Sequence, residues 1–220
     1  MFGKIKDYIK QNKHSFILLY WPVHGIWYLI LQAVTMGRDP FAIVTELDRQ
    51  IPFNEWFVIP YALWYLQIAA VSLYLFLRNK EGFTRLYVYM FGGMFFCMLL
   101  CTVLPMYFDR TGVELYPRDN LLTEAVKLLQ GFDAPTTILP SMHVYVTLGL
   151  HIAICKDSAG IESRLLRLAS LTFSLSVCLA TVFIKQHSVL DVAAAIPLCL
   201  VMYFVAYRPS YKRLFNKLKI

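Results

Sequence analysis

Apolar stretches long enough to cross a bilayer recur along this chain, separated by shorter polar segments. A helix needs about 20 mostly apolar residues to span the hydrocarbon core. By that criterion the sequence predicts six spans, near residues 15–35, 56–78, 86–106, 141–155, 165–184 and 188–207. The fourth is short, so its start is expected to dip into the loop before it. The pattern therefore predicts an all-α membrane protein, a six-transmembrane-helix bundle.

The polar segment between the third and fourth spans carries a different pattern. In LLTEAVKLLQ, residues 121–130, the apolar positions recur at helical intervals. Such spacing is typical of an amphipathic helix, and we expect a short one lying on the outer membrane surface. Neither an internal repeat nor a low-complexity tract divides the sequence. Residues 1–220 are therefore expected to form a single transmembrane domain.

Composition agrees with a membrane location. Hydrophobic residues make up 58% of the chain and charged residues 16%, whereas soluble domains are roughly a quarter charged. The net charge of +7 does not indicate nucleic-acid binding, because the basic residues cluster between apolar runs and at both ends, as membrane proteins carry them. The bilayer is therefore the expected partner, and nucleic acid is not.

The distribution of Lys and Arg predicts an orientation. These residues concentrate at the N-terminus, in the loops after the second and fourth spans, and in the C-terminal tail. The positive-inside rule then places both termini in the cytoplasm, and an even number of spans agrees. The basic start resembles a signal peptide, but residues 16–34 are long enough to span and no clear cleavage site follows, so we expect a retained helix.

The first candidate for chemistry is the sequence Leu-Pro-Ser-Met-His at residues 139–143, where the outer loop enters the fourth span. Ser141 after a proline is a good N-cap. The free N–H groups and positive dipole end of a helix N-terminus bind anions such as phosphate. His143 in the first turn would point toward the same anion. The alternative is a capped helix with an interfacial histidine.

The second candidate is the sequence Lys-Gln-His-Ser-Val-Leu-Asp at residues 185–191, between the fifth and sixth spans. On a helix, His187 and Asp191 would share one face. The carboxylate can then fix the imidazole tautomer and leave the other ring nitrogen free as a nucleophile or base. The alternative is a structural ion pair. The predicted topology puts His143 and His187 on the same, outer side, which favours one shared site.

Together these residues resemble the type 2 phosphatidic acid phosphatase superfamily. Residues 139–143 resemble its Pro-Ser-Gly-His motif, and residues 185–191 resemble the end of its Ser-Arg-x5-His-x3-Asp motif. The order of the motifs and the six-span layout also match. The chain departs from the family elsewhere: Val103 stands where its first motif has Lys, no Pro follows Arg110, and Thr181 replaces the Arg of its third motif.

The resemblance implies a role for each matching residue. His187 would be the nucleophile that forms a phosphohistidine, Asp191 would orient it, and His143 would protonate the leaving alkoxide. Phosphate would be bound by Ser141, the neighbouring Met142, Arg110 and Lys185, the last two supplying charge in place of the missing cations. The family's chemistry implies neither a metal nor a cofactor, because cationic side chains neutralise the phosphoryl oxygens.

The expected function is therefore an integral-membrane lipid phosphatase, placed in the plasma membrane with its site on the outer face and a lipid phosphate as its substrate. Three alternatives stay open. The first is a phosphotransferase, because the motifs also resemble inositol phosphorylceramide synthases. The second is a non-catalytic phospholipid-binding or transport protein, and the third is a zinc site formed by His143, His187 and Asp191.

The remaining intramembrane histidines and tryptophans are expected to be structural. His24 and His151 lie within spans and are interpreted as packed polar residues. Trp21, Trp27, Trp56 and Trp64 are interpreted as belt or packing residues rather than as a substrate box.

Overall fold

A computed structural model describes residues 13–158 and 163–208. In these ranges the chain forms eight α-helices: α1 Tyr20–Thr35, α2 Glu46–Gln50, α3 Val58–Arg78, α4 Lys80–Val103, α5 Leu121–Phe132, α6 Met142–Asp157, α7 Arg164–Phe183 and α8 Val189–Tyr207. Short 3-10 segments at Lys13–Leu19, Met36–Arg38 and Glu55–Phe57 extend the first and third of them.

Among the described residues, five helical segments are long and apolar enough to cross a membrane: Phe16–Arg38, Glu55–Arg78, Lys80–Val103, Arg164–Phe183 and Val189–Tyr207. They agree in position with five of the six predicted spans, and they indicate a multi-pass membrane protein. The expected cytoplasmic termini fall mainly on residues 1–12 and 209–220, which lie outside the described residues.

The fourth predicted span is the exception. Helix α6 has 16 residues, which at 1.5 Å per residue gives about 24 Å of helix, less than the roughly 30 Å of a bilayer core. The third span is also shifted from its expected position near 86–106. It begins earlier because the Asn79 side chain caps the Gly82 amide at 2.9 Å, and it ends earlier because the residue before Pro105 disfavours the helical conformation.

The loops at one end of the bundle are held by a feature that the apolar pattern did not predict. Strand β1, Phe41–Ile43, pairs in parallel with strand β2, Met106–Phe108. Tyr107 also forms an isolated antiparallel bridge with Thr136. Three loops, after α1, after α4 and before α6, are therefore joined at the end where α6 and α8 begin.

Helix α5 occupies the segment in which an amphipathic helix was predicted. The Asn120 side chain caps it by accepting from the amides of Leu122 and Thr123 at 2.9 and 3.0 Å. It buries Thr123, Val126 and Gln130, while Leu121 and Phe132 on its other side are 88% and 76% exposed. One face of the helix is therefore packed and the other leaves large apolar side chains uncovered.

Helix α4 lies at the centre of the main core, and its contact with α6 depends on two small residues. The rings of Tyr89 on α4 and Tyr145 on α6 stack at 4.6 Å, and each hydroxyl donates to the other residue's carbonyl oxygen. Gly149 lies against the Tyr89 ring and Gly93 against the Tyr145 ring. Small residues allow the close approach of helices on which packing in a bilayer depends.

We expect Gly149→Ala to destabilise the fold by about 2 kcal/mol, because overpacking a filled core costs roughly that much. The added Cβ would lie 2.2 Å from a ring carbon of Tyr89, which is stacked and cannot move aside. Unfolding in detergent micelles measures the difference. Gly131→Ala is the matched control, since its Cβ would have nothing within 4 Å. Equal stability of the two variants would contradict this account of the α4–α6 contact.

Candidate functional site

The structure brings together the two histidines that the motifs singled out. His143 lies in the first turn of α6, and His187 lies in the loop between α7 and α8. Nδ1 of His143 and Nε2 of His187 are 3.2 Å apart, within hydrogen-bond distance. Both side chains are buried. The imidazoles, 44 positions apart in sequence, therefore form one pair.

Asp191 fixes the orientation of the His187 ring. Its Oδ2 lies 3.3 Å from His187 Nδ1 and accepts from the Ser188 amide at 2.9 Å. His187 and Asp191 were expected on one helix, but His187 lies before α8 begins. Ser188 is the N-cap of α8 and forms a capping box with Asp191. With Nδ1–H donated to the carboxylate, Nε2 of His187 carries a lone pair toward His143.

Ser141 acts as the predicted N-cap, and its backbone joins the two histidine segments. The Ser141 hydroxyl accepts from the Val144 amide at 3.5 Å, and the Ser141 amide donates to the Asp191 carbonyl at 3.1 Å. The side chain is fully buried. The neighbouring Met142 lines two cavities beside the imidazoles.

Lys185 is placed differently from its expected role as a phosphate ligand. Its Nζ is buried and donates to the carbonyls of Asp48 at 2.7 Å and Ile51 at 2.5 Å. Burial lowers the pKa of Lys185, and the Asp48 charge opposes that effect. The ammonium therefore anchors the loop after α2, and the prediction of direct phosphate binding does not fit this geometry.

Arg110 lies next to the imidazole loop and also bonds to protein oxygens. Its Nε donates to the Lys185 carbonyl at 2.8 Å, and its terminal nitrogens donate to the side-chain oxygens of Gln130 and Gln186. Burial lowers the pKa of the Arg110 guanidinium. The Arg110 charge is thus held beside the two residues that precede His187, Lys185 and Gln186.

Sequence reasoning missed Asp133, the carboxylate that faces the imidazole pair. Tyr28 and Tyr61 both donate to it, Tyr61 at 2.7 Å, and the Gln186 side-chain amide donates at 3.2 Å. The Tyr61 hydroxyl lies 3.5 Å from Nδ1 of His143. Burial would raise the pKa of Asp133, but the nearby His143 and the two tyrosine hydrogen bonds hold it below its usual value.

Asp48 is a second missed carboxylate, and it anchors the start of α8. It accepts from the Ser188 hydroxyl at 2.6 Å and the Val189 amide at 2.8 Å. It also forms a capping box with Thr45 at the start of α2. The Thr-x-x-Asp spacing in the outer loop could have predicted this capping box from the sequence. It does not predict the contact with α8, because Asp48 and Ser188 are 140 positions apart.

Two cavities adjoin the imidazole pair. The smaller, about 20 Å³, is lined by both histidines, Asp133, Gln186, Thr136 and Thr137. The two threonine hydroxyls are buried and have no hydrogen-bond partner among residues 13–158 and 163–208. The larger, about 550 Å³, is mainly apolar and is reached by His143, Met142 and Asp133. The paired imidazoles therefore lie beside a small polar space and a large apolar one.

The alternative of a zinc site formed by His143, His187 and Asp191 is not supported by residues 13–158 and 163–208. Within those ranges no group of three His, Cys, Asp or Glu side chains is arranged to hold a metal ion.

We expect Asp48→Asn to reduce stability at pH 7 by about 2 kcal/mol, the scale of hydrogen bonds to a charged group. Burial raises the pKa of Asp48, but the hydrogen bonds from Ser188, Val189 and Thr45 outweigh burial and hold it below its usual value. A carboxyl of this kind stabilises the fold above its unfolded-state pKa, and that contribution is lost as pH falls through the folded-state pKa.

The difference between wild type and Asp48→Asn should therefore be full at neutral pH and shrink in acid. Denaturant unfolding in detergent micelles at a series of pH values measures it. Asp119→Asn, at an exposed position, is the control. A difference that stays constant down to strongly acidic pH would show that the Asp48 charge contributes nothing.

Comparisons with known proteins leave the chain without an assigned relative. No protein-family model, no curated protein and no solved structure matches it. The function is therefore inferred from the geometry of this site.

Proposed function

We propose that this chain is an integral-membrane lipid phosphatase, which hydrolyses a phosphomonoester or pyrophosphate of a lipid through a phosphohistidine intermediate. The observation that carries the proposal is the pair of buried imidazoles, 3.2 Å apart, with Asp191 behind one ring and an apolar cavity beside the other. A nucleophile, an orienting carboxylate and a proton donor are the parts that phosphoryl transfer through an enzyme nucleophile needs.

In the proposed first step, Nε2 of His187 attacks the phosphorus as the bond to the lipid oxygen breaks. A protonated His143 gives its proton to that oxygen, so a lipid alcohol leaves from a phosphomonoester and a lipid monophosphate leaves from a pyrophosphate. Asp191 accepts the Nδ1–H of His187 and stabilises the positive charge that the ring acquires. In the second step a water molecule loses a proton to His143 and attacks the phosphorus, which breaks the P–N bond and releases inorganic phosphate.

Substrate binding must separate the two rings, because a phosphoryl group is larger than the 3.2 Å gap between their nitrogens. We place the phosphoryl group at the small cavity beside the two rings, which widens as they separate. The buried hydroxyls of Thr136 and Thr137 line it without partners and can donate to phosphoryl oxygens. The N-terminus of α6, which Ser141 caps, supplies the amide end of the proposed phosphate cradle.

Charge balance makes protonation of the imidazole pair part of substrate binding. Asp133 lines the small cavity together with both imidazoles, Asp191 pairs with His187, and a phosphate brings further negative charge. Arg110 supplies one compensating charge through its position beside Gln186. Because the Lys185 ammonium bonds to backbone carbonyls instead, a protonated His143 is the second compensating group.

The proposed setting is the outer face of the plasma membrane, with both termini cytoplasmic, six spans including α6, and α5 at the outer surface. The charge distribution along the sequence supports the orientation. The exposed Leu121 and Phe132 of α5 support its contact with lipid, since an amphipathic helix buries its apolar face at the headgroup boundary.

A phosphotransferase is the second candidate, and Asp133 is the observation that favours it. A carboxylate beside the imidazole pair repels phosphate but can accept a hydrogen bond from a hydroxyl. An acceptor alcohol bound there would attack the phosphohistidine in place of water. Release of little phosphate until a polyol or ceramide is added would identify this activity.

We expect purified protein in detergent to release inorganic phosphate from a lipid phosphate in the presence of a chelator, and His187→Ala to abolish release. Loss of an enzyme nucleophile costs several orders of magnitude, here at least about 1,000-fold. A colorimetric phosphate assay measures it. The matched control is His151→Ala, because His151 lies on α6 two turns from His143 and bonds to Ser170.

Full activity in His187→Ala would refute the mechanism. Lipid binding that persists in His187→Ala, together with no turnover of any lipid phosphate by wild type with or without an acceptor alcohol, would instead indicate the non-catalytic binding or transport protein.

A further inference from the structure

The larger cavity is large enough to hold part of a lipid. Its volume of about 550 Å³ falls within the range of roughly 300–1,000 Å³ typical of ligand sites. Helices α1, α3, α4, α5 and α6 all contribute to its wall. Among its lining residues Tyr65, Leu128 and Phe132 are 56%, 64% and 76% exposed, so the cavity opens at the surface between α3 and α5.

Three buried nitrogen atoms on the lining residues have no hydrogen-bond partner within the described part of the chain: Nδ1 of His24, Nε1 of Trp64 and Nε2 of His143. Each of the three side chains is 8% exposed. An unpaired buried polar group is costly, and an indole N–H can only donate. A ligand with a hydrogen-bond acceptor would therefore be favoured in this cavity over a plain hydrocarbon chain, because it can pair with these nitrogen atoms.

The depth of these groups relative to the imidazoles is set by helix geometry. Tyr28 on α1 and Tyr61 on α3 mark one level, because both hydroxyls donate to Asp133. His24 is four residues from Tyr28 and Trp64 three residues from Tyr61, in both cases away from the end of the bundle that holds the site. One helical turn rises about 5.4 Å, so His24 and Trp64 form a second polar level one turn deeper.

Apolar side chains make up most of the remaining wall, among them Val146 on α6 at the second level and Ile68 on α3 one turn deeper. Trp21 on α1 lines the cavity at about the depth of Ile68. From the imidazoles inward, the cavity thus presents polar groups near the phosphoryl site, a pair of nitrogen groups one turn deeper, and a mainly apolar wall around and beyond them.

We propose that the cavity selects lipids whose chains are joined by an ester or amide, with the carbonyl oxygen accepting from Nε1–H of Trp64 and from His24. This inference rests on the proposed function, which places the phosphoryl group at the imidazole pair. In an acyl glycerolipid phosphate the carbonyl lies a few bonds from the phosphorus, which matches one helical turn. An isoprenoid or ether-linked lipid phosphate has no carbonyl there and would leave the indole N–H unpaired.

The assignment changes the interpretation of two residues that the sequence suggested were only packing. Trp64 still packs on His143, with ring centroids 4.4 Å apart, but its N–H becomes a specificity contact. His24 keeps the freedom to donate or accept through its choice of tautomer, so it can pair with the same carbonyl or with a neighbouring hydroxyl.

The test compares two lipids that differ only in the carbonyl, a diacylglycerol phosphate and the dialkyl ether analogue with equal chain lengths. The ratio of their kcat/KM values for phosphate release is measured in mixed micelles. We expect wild type to prefer the diacyl lipid about fivefold, the scale of one net hydrogen bond. In Trp64→Phe, which keeps an aromatic ring against His143, the ratio should fall to near one.

Trp27→Phe is the matched control, because the Trp27 indole donates to Thr102 at 3.0 Å and Trp27 is not among the residues lining the cavity. It should keep the wild-type ratio. His24→Leu, which does not alter the ring packed on His143, is the second variant and should also lower the ratio, so a folding defect in Trp64→Phe does not decide the result.

A wild-type ratio near one, or an unchanged ratio in both His24→Leu and a folded Trp64→Phe, would overturn the inference. Failure of the proposed function has a different signature, because neither lipid would then release phosphate. In that case native mass spectrometry of the same proteins measures how strongly each of the two lipids binds. A fivefold preference of wild type for the diacyl lipid, lost in Trp64→Phe, would show the carbonyl contact, and equal binding of the two lipids to wild type would exclude it.

Discussion

The hydrogen bond from the Ser141 amide to the Asp191 carbonyl, at 3.1 Å, joins the two segments that carry the imidazoles. Its donor is the N-cap of α6 and its acceptor lies in the first turn of α8, so it fixes the relative position of the two helix starts. Asp48 reinforces α8 from a third segment through Ser188 and Val189. Because the side chains of Ser141, Asp191, Asp48 and Ser188 are buried, a shift of either helix would leave polar atoms unpaired, which holds the two helix starts in fixed positions.

The sequence was sufficient for the features that depend on local pattern. Apolar length located five spans, and Ser141 and the His187–Asp191 spacing identified the capped helix start and the oriented ring. It was insufficient where a residue's role depends on distant partners. Asp133 looks like an ordinary loop carboxylate until Tyr28 and Tyr61 reach it from other helices. The parallel pairing of β1 and β2 likewise joins loops that no periodicity connects.

The charged residues show the same division between prediction and structure. Arg110 and Lys185 were expected to bind phosphate in place of the cations that the resembled motifs contain and this chain lacks. Because Lys185 is buried and Arg110 is partly buried, they bond instead to oxygen atoms of the protein. The Lys185 ammonium bonds to the carbonyls of Asp48 and Ile51, and Arg110 holds Gln186 and the Lys185 carbonyl. A buried cation needs such partners whatever its function, so the site is left with two imidazoles and nearby carboxylates. That balance explains why proton transfer, rather than fixed positive charge alone, is central to the proposed reaction.

Trapping the covalent intermediate shows which residue attacks the phosphorus. Protein mixed with a radiolabelled lipid phosphate is quenched in alkali, in which phosphohistidine survives. The protein is then digested and the labelled peptide is sequenced. We expect an acid-labile, alkali-stable label on His187 in wild type, and none in His187→Ala. A label on another residue, or no label during demonstrated phosphate release, would contradict the claim that the His187 ring attacks phosphorus.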